Sequence, residues 1–112
     1  MELEEIIQDW ISVSNSYNTE KYLTFYTNNA VLDDVSVGKK FIGKAGLKEY
    51  FERYFIGYKT QTKVVNLVKE TVNKASLEVE FMGDFPEGTV RGSFDLIFKE
   101  GKIAFLAADL LY

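Results

Sequence analysis

The chain has 112 residues, 46 % of them hydrophobic and 27 % charged, the composition of one folded domain and not of a disordered segment. It contains no Cys and no His, which excludes disulfides, thiolate chemistry, Ser-His-Asp and Cys-His triads and nearly every zinc site. Thirteen Lys and Arg stand against seventeen Asp and Glu, a net charge of −4 that argues against a general nucleic-acid binder and leaves carboxylate chemistry, binding or assembly.

The opening Met1-Glu2-Leu3-Glu4-Glu5 lacks the basic and apolar regions of a secretory leader. No apolar run reaches the roughly 18 residues of a membrane span. The expectation is a single cytoplasmic domain over residues 1–112, without membrane or nucleic-acid partners.

Leu3, Ile6, Ile7, Trp10, Ile11 and Val13 recur at helical spacing and predict an amphipathic helix over residues 2–14. Ser14-Asn15-Ser16 ends it. Asn18-Thr19-Glu20 can cap a second, shorter helix carrying Tyr22, Leu23, Phe25 and Tyr26, which Asn28-Asn29 breaks. Ala30 to Asp34 reads as a short strand, Gly38 as a turn, and Lys40-Phe41-Ile42 as a second short strand. Gly43 opens a third helix, with Leu47, Tyr50, Phe51, Tyr54 and Phe55 at spacings of three and four.

Four strand-like runs follow, at 60–71, 75–83, 89–99 and 102–111. Their separators are Asn73-Lys74, the loop around Pro86, and Glu100-Gly101, all of hairpin length, so an antiparallel meander is expected. Leu77, Val79 and Phe81 alternate with Ser76, Glu78 and Glu80, the pattern of a half-buried strand. The last strand differs: Ile103, Phe105 and Ala107 share one face, Ala104, Leu106, Ala108 and Leu110 the other, and both are apolar. Either it is a central strand covered by its own neighbours, or its outer face meets a second copy of the chain.

Three stretches carry a family resemblance: Phe25-Tyr26-Thr27-Asn28-Asn29-Ala30-Val31-Leu32-Asp33-Asp34, Phe41-Ile42-Gly43-Lys44-Ala45-Gly46-Leu47-Lys48-Glu49-Tyr50-Phe51, and Gly101-Lys102-Ile103. In this order, with helices first and four long strands last, the chain resembles the nuclear transport factor 2-like superfamily, which includes SnoaL-like polyketide cyclases and ketosteroid isomerases. The resemblance covers almost the whole chain. It implies an α+β, cystatin-like roll: three helices packed on a curved, mainly antiparallel sheet, forming a cone with a pocket inside.

The resemblance also assigns roles. Asp34 matches the isomerases' base, and a carboxylate in an apolar cone suits proton abstraction beside a carbonyl. The oxyanion donors do not carry over: Trp10 stands at the oxyanion Tyr, and Phe94 at the protonated Asp. Losing such donors costs on the order of 10²–10³ in rate each. Of the two supporting Tyr, one matches Tyr26 and the other is Phe51. Trp10 still has an indole N–H to offer a ligand. The Asp-Arg-Asp set of limonene epoxide hydrolase, another relative, finds only Arg53 and Arg91 here, and the alternation of its strand turns Arg91 outward.

The expected pocket residues are thus Trp10, Tyr26, Phe51, Tyr54, Phe94, Leu106 and Leu110 around Asp34, with Tyr54, Phe55 and Tyr58 near the mouth. Phe105 and Asp109 fall on the outer face, at the contact of a homodimer formed through the sheet. No metal and no cofactor is expected, because only oxygen ligands remain and no calcium loop is present. The functional expectation is a SnoaL-like domain binding a small apolar molecule. The alternative is an isomerase, cyclase or hydrolase with Asp34 as general base on an apolar, carbonyl-bearing substrate.

Overall fold

The computed structural model describes residues 3–111; Glu2, the expected first residue of the opening helix, lies outside them. Helix α1 (Leu3–Asn15) buries the stripe Leu3, Ile6, Ile7, Trp10 and Ile11. Helix α2 (Thr19–Leu23) starts where Asn18 Oδ1 accepts the Lys21 amide at 3.1 Å, an N-cap. Strands β1 (Tyr26–Asp34) and β2 (Lys39–Ile42) precede helix α3 (Gly43–Phe51), which runs on into a π-helical turn at Glu52–Ile56. Strands β3 (Gln61–Thr71), β4 (Lys74–Met82), β5 (Thr89–Lys99) and β6 (Lys102–Leu111) complete the chain.

The six strands form one curved sheet in the order β2-β1-β6-β5-β4-β3, with the helices packed on one face. Every neighbouring pair is antiparallel except β1 and β6, which are parallel. The α+β, mainly antiparallel expectation holds. At the β5–β6 hairpin, Glu100 and Gly101 both take positive φ, 52° and 79°, the two-residue turn that matches strand twist.

One boundary differs from the sequence reading. Phe25 and Tyr26 were expected in the second helix, yet β1 already begins at Tyr26. The Ile103 amide donates to the Phe25 carbonyl at 2.8 Å, and Tyr26 pairs with Ile103. Sheet pairing across the chain outweighs the local helical pattern there.

Strand β6 is central, between β1 and β5. Its inward Leu106 and Ala108 are buried, while the outward Phe105 and Ala107 are half-buried. Two inner rows run across the sheet. Leu32, Leu106, Leu96 and Ala75 form one; Asp34, Ala108, Phe94 and Leu77 form the next. Every member of both rows is buried. A carboxylate thus stands in register with an alanine and a phenylalanine on the core side. No helix among the described residues is long and apolar enough to cross a membrane.

Candidate functional site

The second inner row ends in space. A cavity of about 300 Å³ opens between the C-terminal half of the third helix region and the sheet. Asp34, Phe94, Ala108 and Leu110 form its sheet wall, and Tyr50, Tyr54 and Phe55 its helix wall. The π-helical turn is wider than an α-turn and brings the consecutive Tyr54 and Phe55 into that wall together. Tyr58, Phe85, Pro86 and Glu87 make the rim. The two rim segments are tied together, since the Asp84 amide donates to the Tyr58 carbonyl at 2.8 Å and the Tyr58 and Phe85 rings lie 5.8 Å apart.

Asp34 is only 6 % exposed. Its Oδ1 accepts the Ser36 amide at 3.0 Å and the Ser36 hydroxyl at 2.6 Å, a turn in which the carboxylate binds the backbone two residues on. Tyr50 is its neighbour across the cavity wall. Burial pushes the Tyr50 phenol well above its ordinary pKa, and the charge and hydrogen bond of Asp34 push it further. The phenol therefore stays protonated at neutral pH and acts as a donor.

Among the described residues the charged ones at the wall are Asp34, Asp109 and Glu87, all acidic, and no Lys or Arg lines the cavity. None of the three joins an ion pair among the described residues. The remainder of the lining is aromatic or aliphatic apart from Ser36 and Thr60, and the Thr60 hydroxyl is spent on the Tyr54 carbonyl at 2.9 Å.

Of the expected pocket residues, Asp34, Tyr54, Phe94 and Leu110 line this cavity, and Trp10, Tyr26, Phe51 and Leu106 do not. The last four are packed in the hydrophobic core. Trp10 Nε1–H donates to Tyr26 Oη at 3.0 Å, and Tyr26 donates in turn to Tyr22 Oη at 2.6 Å. Phe51 stacks on Tyr22 with centroids 3.9 Å apart. The Trp10 indole N–H is thus consumed inside the protein and does not face a ligand. Leu106 is buried in the first inner row, one step from the cavity.

Asp109 is expected on the outer face, at an interface or rim. It is half-buried, contributes to the cavity wall, and its Oδ1 accepts the Leu110 amide at 2.8 Å. Phe105 is half-buried on the outer face. Arg91 is exposed and paired with Glu78 and Glu80, while Arg53 is exposed beside Glu49. No Asp-Arg-Asp set is assembled. Among the described residues no group of three or more potential metal ligands comes together.

The sequence reading missed Ser36, Tyr50, Phe81 and Val90 as wall residues. The spacing Asp34-x-Ser36 was a usable signal, since Asp commonly accepts the amide two residues on. Tyr50 lay on the same helix face as Tyr54, four residues away.

No protein-family model and no curated relative matches the sequence. Solved structures match the fold over nearly its full length. A candidate polyketide cyclase from Sinorhizobium meliloti superposes with a TM-score of 0.84 at 16 % identity, covering 93 % of each chain. A cystatin-like-fold protein from Methylobium petroleophilum gives 0.83 at 17 % identity, covering 97 % of this chain and 75 % of its own. A Mycobacterium tuberculosis protein in complex with estradiol-17β-hemisuccinate gives 0.81 at 14 % identity, covering 92 % of this chain and 88 % of its own. Other matches are nuclear transport factor 2-like proteins. The chain has the cystatin-like, nuclear transport factor 2-like fold.

Proposed function

We propose that this chain is a SnoaL-like domain that binds one small, largely apolar molecule in the cavity beside Asp34. The observation that carries this reading is the cavity itself: about 300 Å³, walled by Tyr50, Tyr54, Phe55, Phe81, Phe94 and Leu110, with one buried carboxylate. That is the low end of the range for small-molecule pockets, mostly apolar with a few polar groups for orientation. The steroid derivative held by the Mycobacterium tuberculosis protein, which shares the fold, supports it. The test is calorimetric titration with neutral bicyclic aromatics such as naphthylmethanol and tetralone. Saturable one-to-one binding that Leu110→Trp abolishes is the expected result. Absence of binding to every such probe, and to charged derivatives of the same scaffold, would overturn the reading.

A second reading is favoured by the burial of Asp34 in the cavity wall beside a phenol: an isomerase, cyclase or hydrolase with Asp34 as general base on an apolar carbonyl compound. Against it stand Trp10, whose N–H is engaged by Tyr26, and Phe94, which has no proton to give. Exchange of the α-protons of tetralone in deuterated water, followed by NMR, decides. Exchange that requires Asp34 supports a base; exchange no faster than in buffer removes it. As a further part of the proposal, two copies pair through the outer sheet face around Phe105 and Asp109.

A further inference from the structure

The cavity wall has a charge of one sign. Asp34 and Glu87 contribute to it, and among the described residues no Lys or Arg does. Asp34 is the decisive one because it is buried, whereas Glu87 is exposed at the rim. Among the described residues Asp34 accepts the Ser36 amide and the Ser36 hydroxyl, both neutral donors, and the Tyr50 phenol stands beside it in the wall. Lys39 lies opposite Asp34 in the β1–β2 ladder, yet its ammonium is directed to Glu49 at 3.3 Å. A buried carboxylate without a counter-ion among the described residues is an unusual holding, since buried charges are normally paired.

Around it the wall is aromatic. Tyr50, Tyr54 and Phe55 lie on one side, with the Tyr50 centroid 5.5 Å from Tyr54 and 5.7 Å from Phe55. Phe81 and Phe94, 5.7 Å apart, lie on the other. Ring faces attract cations, most strongly where water is excluded. An anionic ligand would find no positive partner among the described wall residues, and Asp34 and Glu87 against it. A neutral ligand would gain the apolar contacts but leave Asp34 uncompensated. A cation with an apolar body would meet all three features at once.

We infer that the cavity is built for an apolar molecule bearing one protonated amine, its ammonium seated against Asp34 and its body against the aromatic walls. The inference rests on the reading of this cavity as a ligand site. It goes beyond that reading by fixing the charge of the ligand.

The test is a matched series on one scaffold: naphthylmethylamine, naphthylmethanol and naphthoate, titrated calorimetrically at neutral pH. A charge-assisted hydrogen bond in a buried site should favour the amine over the alcohol on the order of tenfold to a hundredfold. Naphthoate should bind weakest. Asp34→Asn should bring the affinity of the amine down to that of the alcohol measured on the same variant, and an unchanged near-ultraviolet circular dichroism spectrum should report that the aromatic wall is intact. Should Asp34→Asn fail to fold, NMR on the unmodified protein decides. The Ser36 amide, bonded to Asp34 Oδ1, should shift with the amine and hardly move with the alcohol. An alcohol that binds as tightly as the amine, or a Ser36 amide equally insensitive to both, would overturn the inference and leave the apolar pocket standing. Failure of all three compounds to bind would remove the pocket reading as well.

Discussion

Trp10 donates its indole N–H to the Tyr26 hydroxyl at 3.0 Å, and this bond turns the one tryptophan away from the cavity. Tyr26 passes the chain on to Tyr22 at 2.6 Å, all three residues being buried. Tyr26→Phe would leave the Trp10 N–H without its acceptor and Tyr22 without its donor. Unpaired buried groups of this kind cost about 1–3 kcal/mol. Urea unfolding of Tyr26→Phe should show that loss with an unchanged m-value. In the double variant with Trp10→Phe, the two losses should be less than additive, because the second change removes a donor already orphaned. Strict additivity would mean that the bond is not formed in solution.

The same buried phenols set the alkaline limit of the fold. Burial raises the pKa of Tyr22, Tyr26 and Tyr50 above the ordinary value of 10.0. A raised pKa in the folded state means that the native chain keeps protons which the unfolded chain releases. Stability from these groups is therefore complete below pH 10 and is lost as pH climbs from 10 through the folded values. With three groups acting together, the loss should approach about 4 kcal/mol per pH unit in that window. Circular dichroism and tyrosinate absorbance should change in one concerted step there. Tyrosinate formation by all three at pH 10 with the fold intact would contradict the burial.

Much of this architecture was legible in the sequence. The stripe on α1 and the alternation on β4 each bury an apolar face, and such faces are written locally as spacing. What was illegible depended on partners far along the chain. The parallel pairing of β1 with β6 makes β6 central, and it also pulls Tyr26 into a strand. The candidate site divides the same way. The resemblance pointed to Asp34 and Phe94, and it turned Leu110 inward on a strand whose two faces are both apolar. Trp10, Tyr26, Phe51 and Leu106 were expected beside Asp34 on the same resemblance, all being inward-facing. Facing inward does not say which end of a cone is packed solid and which is left open. The packing of Phe51 on Tyr22 and of Trp10 against Phe94 closes one end, and the π-helical turn opens the other.

Gly92 controls the size of that opening. A methyl group there would collide with the edge of the Phe81 ring and stand 3.0 Å from the Asp109 carbonyl. The backbone oxygen cannot yield easily, so the ring must move, and Phe81 belongs to the cavity wall. Gly92→Ala should cost about 1–3 kcal/mol as an overpacked site. It should also weaken binding of naphthylmethanol more than it lowers the unfolding midpoint would suggest, because the displaced ring takes up ligand space. Unchanged affinity at the reduced stability would show that Phe81 relaxes away from the cavity.

The outer sheet face should carry the pairing of two copies. Val31, Phe105 and Ile97 form a cross-strand row there, all half-buried in the single chain. The neighbouring outer row holds Asp33, Ala107 and Asp95, and Asp109 follows beyond it. A two-fold contact centred on Phe105 would bury the apolar row against itself and bring these acids near their counterparts. An interface of this kind should cover more than about 1,000 Å² in total to be stable. Sedimentation at micromolar concentration should give roughly twice the 12.8 kDa chain mass. Added salt should tighten the pair, since it screens like charges facing across the axis. Phe105→Glu should yield a folded monomer, because the side chain is half-exposed in the single chain and its loss opens no core cavity. A monomer in the unsubstituted protein at any salt concentration would end the proposal, and a dimer that survives Phe105→Glu would move the contact to another face.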